Sequence, residues 1–154
     1  MLITGRWHPG ESNSSHMLQG FLNFLTSTSR EAAELRNRIN FFVVPMANPD
    51  GVICGNSRTS MAGKDLNRQF IQASKELYPE VSLVKELAKK LQNSFGLFMY
   101  LDFHGHSRKK NTFFYGPSYS IHEPNYYKSR ILPKLVEKVD SNFRFHSCSF
   151  TIDE

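Results

Sequence analysis

Cysteine is scarce: Cys54 and Cys148 are the two among 154 residues. That is too few for a disulfide framework and points to a reducing compartment. No apolar run approaches the ~20 residues that a membrane span requires, so a soluble protein with no membrane partner is expected. Nothing near Met1 resembles the charged-then-apolar layout of a secretory signal. Internal repeats are absent. Acidic residues are in the minority, 14 against 19 Lys and Arg, for a net charge of +5. Charge alone suits nucleic acid, an anionic surface or an acidic peptide equally. The basic residues are scattered and carry no nucleic-acid-binding motif, which excludes nucleic acid as the expected partner. What remains is ordinary globular composition, 40% hydrophobic and 21% charged, with the length of one domain.

Segments with strand character alternate with segments of helical periodicity, the pattern of an α/β domain with helices on a mixed, mostly parallel sheet. Met1 to Arg6 is expected to be a buried strand, ended by His8-Pro9-Gly10. Asn13 or Ser14 can cap a helix whose Met17, Leu18, Phe21, Leu22 and Leu25 recur at helical spacing and form core. A helix over Arg30 to Arg38 leads to a strand over Phe41 to Met46. Ala47 to Gln69 is rich in Gly, Asn, Pro and Ser and forms a long loop, and long ordered loops in compact domains are usually functional. Pro79 opens a helix to about Gln92 with Val81, Val84, Leu87, Ala88 and Leu91 on one side. Leu97 to Phe103 is apolar apart from Asp102 and is expected to be a central strand that delivers His104-Gly105-His106 at its C-terminal end, where open α/β sheets bind ligands. Thr112 to Tyr115 is expected as a strand, Tyr126 to Val139 as a helix and Phe143 to Ile152 as a last strand. Phe113, Phe114, Tyr115 and Tyr119 are assigned to packing.

His8 and Glu11 stand three apart just after a strand, where a turn can aim an imidazole and a carboxylate at one point. Catalytic zinc commonly takes two histidines and a carboxylate and keeps a position for water, so a third ligand should come from another strand end. His104 stands at such an end. His106 competes with it, but its place two residues further on fits a different spacing, and His104 is preferred.

The intervening loop holds Asn48-Pro49-Asp50-Gly51 and Lys64-Asp65-Leu66-Asn67-Arg68. With His8-Pro9-Gly10-Glu11 and Asp102-Phe103-His104, these stand in the order found in zinc carboxypeptidases of the pancreatic type, which the chain resembles over nearly its whole length. The wording of residues 8–15, 65–69 and 102–111 is most similar to the cytosolic carboxypeptidases, the tubulin deglutamylases. The resemblance implies that His8, Glu11 and His104 bind Zn, with Asp65 accepting the outer N–H of His8. It implies that Asn67 and Arg68 grip the substrate's terminal carboxylate, and that Arg58 polarises the scissile carbonyl. It further implies hydrolysis of the last peptide bond of acidic protein tails such as tubulin's, in the cytoplasm and at microtubules or cilia. Arg108-Lys109-Lys110, directly after the third ligand, can supply positive potential for such tails.

The family's general-base glutamate lies on a strand well after the third ligand. Glu123 and Glu137 stand in turn or helical contexts and Glu154 is terminal, so none is assigned as the base. The chain is therefore expected to be a partial catalytic domain, residues 1–154, truncated at its C-terminal side. Two alternatives are an aspartoacylase-like zinc amidohydrolase and a non-catalytic module that binds zinc or acidic tails.

Overall fold

The computed structural model describes residues 1–151. It divides into two compact units, one from Met1 to Gly105 and one from His106 onward. The first unit is built on a parallel three-stranded sheet in which β1 (Leu2–Gly5) lies between β2 (Phe42–Val44) and β3 (Tyr100–Phe103). All four residues of β1 are buried, as a parallel strand covered on both faces should be. The register sets Thr4 beside Val44 and Asp102, and Gly5 beside Phe103.

Helices cover both faces. On one, α1 (Ser12–Leu25) packs on β1 and β3, and α2 (Arg30–Arg38) packs on α1. Of the periodic apolar residues of α1, Leu18 and Leu25 are buried and Met17, Phe21 and Leu22 partly so. A Cβ on Gly5 would lie 2.3 Å from Leu18 Cδ1 and 2.8 Å from Ser14 Oγ, so the glycine is what lets α1 approach β1 this closely. On the other face, Val81, Val84 and Leu91 of α4 (Pro79–Phe95) join Leu2, Trp7, Ala47, Leu66 and Tyr78 in one core cluster. Leu87 and Ala88 pack against its edge, so the apolar stripe expected of this helix is its core face.

The first turn of α1 is capped differently from the expectation: the helix starts at Ser12 behind Glu11, without a side-chain cap. Asn13 and Ser14 lie inside it, and Ser14 is used elsewhere. Its buried hydroxyl accepts the Arg6 N–H at 2.9 Å and donates to the Phe103 carbonyl at 2.6 Å, clipping together the ends of β1 and β3. The long loop also holds more structure than its composition suggested. Asn48 caps a short helix, α3 (Pro49–Ile53), accepting the Gly51 N–H at 3.0 Å, while its amide donates to the Trp7 carbonyl at 3.1 Å.

In the second unit, α5 (Pro124–Val139) is the expected helix, two residues longer at its start. The strands expected at Thr112 to Tyr115 and from Phe143 do not form ladders. Among the described residues they meet only in isolated parallel bridges, Thr112 with Phe143 and Tyr115 with Ser149. A 3-10 turn over Phe145–Ser147 lies between the bridges, and its backbone bonds locally, Cys148 N–H to the Phe145 carbonyl at 3.0 Å, instead of to a neighbouring strand. Ile152, the expected end of that strand, lies outside the described residues.

Asn48 is fully buried, so Asn48→Ala strands the Trp7 carbonyl and the Gly51 N–H at a cost of about 1–3 kcal/mol for each group left without water. Urea unfolding should register that loss; a change within about 0.5 kcal/mol, the range of an ordinary surface substitution, would contradict the assignment.

Candidate metal centre

The turn after β1 begins at Arg6, whose positive φ of 58° is rare for a residue with a side chain. Its guanidinium holds the turn by donating to the Pro9 carbonyl at 2.8 Å and to Ser15 Oγ at 2.6 Å. The backbone N–H of Gly10 donates to the Ser57 carbonyl at 2.8 Å. A Cβ on Gly10 would stand 2.7 Å from that same oxygen, and a Cβ on Gly51 would stand 2.5 Å from Pro9 Cγ. The His8-Pro9-Gly10-Glu11 turn is thus seated against the Asn48-Pro49-Asp50-Gly51 segment, and both glycines are required by the close approach. Sequence reasoning assigned the second segment no role; Asn at an N-cap and Pro at the first helical position were the available signals.

This seating brings His8, Glu11 and His104 together with one ligand-type atom of each within 4.8 Å of the others. Glu11 is the centre. Its Oε1 lies 2.8 Å from His8 Nδ1, and its Oε2 lies 2.9 Å from His104 Nδ1 and accepts the Gly105 N–H at 2.8 Å. Both rings turn their Nε2 outward to a carboxylate: His8 to Asp65 Oδ1 at 3.0 Å, His104 to Asp102 Oδ2 at 2.6 Å. Two imidazoles and a carboxylate with their outer nitrogens engaged form the donor set that suits zinc, because a carboxylate on Nε2 fixes the ring and leaves Nδ1 as the ligand atom.

Asp65 caps the 3-10 turn Leu66–Arg68 by accepting the Asn67 N–H at 3.0 Å, and its second oxygen pairs with Arg58 Nη2 at 2.7 Å. The Asn67 side-chain amide reaches within 3.3 Å of His104 Nε2. Arg58 and Arg68 are exposed. His106 belongs to the second unit, where its Nδ1 accepts the N–H groups of Arg108 and Lys109 and its Nε2 faces the Tyr115 hydroxyl at 3.2 Å. In the same unit Glu123 accepts the Ser120 N–H, and Glu137 pairs with Lys134 and accepts the Phe145 N–H. Glu154 lies outside the described residues. Sequence reasoning placed Asp102 in the Asp102-Phe103-His104 motif and noted it as a polar interruption in an apolar strand, but gave it no role. Its spacing of two from His104 puts both side chains on one side of an extended chain, and that was the usable signal.

With one family the match is extensive: the zinc carboxypeptidase pattern covers residues 1–146. The chain belongs to the zinc carboxypeptidase family. It is 42% identical over its whole length to cytosolic carboxypeptidase 2 of Macaca fascicularis and to cytosolic carboxypeptidase 3 of Bos taurus, and spans 18% and 16% of those proteins. Among solved structures, the metallo-carboxypeptidase of Burkholderia cenocepacia is similar with a TM-score of 0.84 and 27% identity, over 99% of this chain and 40% of that one. The metallo-carboxypeptidase of Pseudomonas aeruginosa, solved with (2-guanidinoethylmercapto)succinic acid, gives a TM-score of 0.81 and 26% identity over 100% of this chain and 40% of that one. The expected α/β carboxypeptidase fold is therefore present, and zinc is the metal that the family and the donor set have in common.

Electrostatics couple these groups. Burial opposes ionisation of Glu11, but hydrogen bonds from His104, His8 and the Gly105 N–H outweigh it and hold the carboxyl well below the usual range. Burial likewise opposes ionisation of Asp65, and is outweighed by the charge and hydrogen bond of His8 and the charge of Arg58, which lower its pKa. For His104, burial disfavours the cation, yet the hydrogen bonds to Asp102 and Glu11 prevail and push it up to about 9. A raised folded-state pKa stabilises the protein in full below the ordinary value of 6.5 and ceases to do so as the pH climbs through about 9. Metal-free protein should accordingly lose stability to urea between pH 6.5 and 9, and His104→Gln should flatten that limb. A wild-type midpoint that does not fall across this window would contradict the coupling.

Proposed function

We propose that this chain carries the zinc-binding part of a metallocarboxypeptidase that removes C-terminal residues, glutamates in particular, from acidic protein tails such as tubulin's. The observation that carries the reading is the convergence of His8 Nδ1 and His104 Nδ1 on Glu11, each ring backed by its own carboxylate. Names of the relatives support the finer part: cytosolic carboxypeptidases suit a cytoplasmic protein, and association with microtubules or cilia follows if tubulin is the substrate.

When bound, zinc supplies Lewis acidity: acidification of water toward a pKa of about 7 and stabilisation of charge on a carbonyl oxygen. This chain's own residues bind and orient. Arg68, exposed on the turn that Asp65 caps, offers a planar fork that matches a terminal carboxylate in two hydrogen bonds, and Asn67 adds a further donor. Arg58, held by Asp65, donates toward the scissile carbonyl oxygen, where negative charge develops. Arg108, Lys109 and Lys110 add positive potential that favours acidic tails. No glutamate among the described residues is assigned as the general base, and the chain spans 18% and 16% of the two cytosolic carboxypeptidases, so residues 1–154 are proposed as part of a longer catalytic domain. The family pattern and the carboxypeptidase relatives do not favour a non-catalytic tail-binding role. The aspartoacylase-like reading is set aside on the carboxypeptidase relatives.

Calorimetry on zinc-loaded protein tests the substrate class without requiring turnover. A peptide ending in glutamates with a free carboxylate should bind at least tenfold tighter than the same peptide amidated, and Arg68→Ala should abolish the difference, a loss of about 1.4 kcal/mol or more. Equal binding of both peptides, or preferential binding of an N-acyl aspartate, would overturn the assignment.

A further inference from the structure

The two outer carboxylates are braced in different ways. Asp65 is held by a loop N–H and an exposed guanidinium. Asp102 is held by Thr4, which is fully buried on the central strand and paired with Asp102 in the sheet register. The Thr4 hydroxyl lies 2.7 Å from Asp102 Oδ1, 2.8 Å from the Tyr100 hydroxyl and 3.2 Å from Trp7 Nε1. Proton counting fixes the directions around Thr4. An ionised carboxylate only accepts, so the single proton of Thr4 goes to Asp102. The Tyr100 hydroxyl must then donate to Thr4, as the Trp7 indole N–H does. With two donors and one acceptor around it, the Thr4 hydroxyl has no spare lone pair and no freedom to rotate. Asp102 Oδ2 is left to accept from His104 Nε2 at 2.6 Å, while Glu11 Oε2 stands 2.9 Å from Nδ1; with a metal in place of the Nδ1 proton, that nitrogen would be the ligand and Nε2 would keep its proton directed at Asp102.

From this geometry we propose that Thr4 and Asp102 are a positioning pair for His104: the buried threonine orients the aspartate, and the aspartate fixes the tautomer that presents Nδ1 to the metal. This rests on the zinc reading above. Neither residue touches substrate or metal; both act through the His104 ring. Thr4→Val keeps the side-chain shape but removes the proton from Asp102 and leaves the Tyr100 and Trp7 donors without their acceptor. Thr4→Ser keeps the hydroxyl. Asp102→Asn offers one acceptor oxygen where two donors, Thr4 and His104, point.

Two readouts separate the pair from the metal reading: zinc affinity by chelator competition, and the nitrogen-15 ring spectrum of His104. In wild-type protein the zinc-loaded ring should carry its proton on Nε2, and that proton should show the shift of a short hydrogen bond to Asp102. Zinc affinity should fall about tenfold in Thr4→Val and ten- to a hundredfold in Asp102→Asn, with weakening of the Nε2–H hydrogen-bond signature in both and its retention, with wild-type affinity, in Thr4→Ser. Folded variants that keep wild-type affinity and signature would overturn the proposal. So would a wild-type ring protonated at Nδ1 and ligating through Nε2, a result that depends on no variant's ability to fold. If wild-type protein takes no zinc, the metal reading fails, and the pair is then decided by whether the Nε2–H hydrogen bond to Asp102 weakens in Thr4→Val and persists in Thr4→Ser.

Discussion

The site depends on one pairing, that of β1 with β3. Because Thr4 lies beside Asp102 and Gly5 beside Phe103, the two strands end together, and the residues after them, His8 and Glu11 on one side and His104 on the other, emerge at the same sheet edge. Ser14 reinforces the pairing by bridging the Arg6 N–H and the Phe103 carbonyl. A one-residue slip in this register would turn Asp102 and Thr4 to opposite faces and remove the carboxylate from behind His104. Helices on both faces hold the sheet in place, and the missing Cβ of Gly5 allows α1 to close over it.

From that edge outward, the polar groups are arranged in concentric order. Glu11 lies innermost, between two Nδ1 atoms. Outside the rings stand Asp65 and Asp102, and outside these stand Arg58 with the Asn67 N–H, and Thr4 with Tyr100 and Trp7. Three carboxylates so close together would repel one another unless cations or protons separated them. Here each histidine lies between two carboxylates, which is why Glu11 and Asp65 stay ionised despite burial and His104 binds its proton tightly. A dication in place of those protons satisfies the same balance of charge.

Much of this was legible in the residues. His8 and Glu11 could be placed because proline and glycine end the strand before them, and His104 because an apolar run leads to it. Helical periodicity located α4, whose expected apolar stripe is the face that meets the core. Asp102 was seen as part of a motif but given no role, because an aspartate in an apolar strand looks like a defect until its register partner, Thr4, is known. The α3 turn was hidden because Asn-Pro-Asp-Gly suggests a loop by composition, although the same letters cap and start a helix. In the second unit, aromatic runs at Thr112 to Tyr115 and from Phe143 have strand propensity, but a 3-10 turn takes up the backbone groups that a ladder would use. Propensity describes what a residue tolerates, and the competing turn was not readable from it.

The central claim is that His8, Glu11 and His104 form one zinc site with nitrogen and oxygen donors. Zinc titration of the metal-free chain, followed by X-ray absorption at the zinc edge, tests it most directly. One tight equivalent, with two imidazole nitrogens at about 2.0–2.1 Å and oxygen completing the shell, lost in both His8→Ala and His104→Ala, is the predicted result. A sulfur scatterer at about 2.3 Å, which would place Cys54 or Cys148 at the metal, or a site that survives both substitutions, would contradict the account.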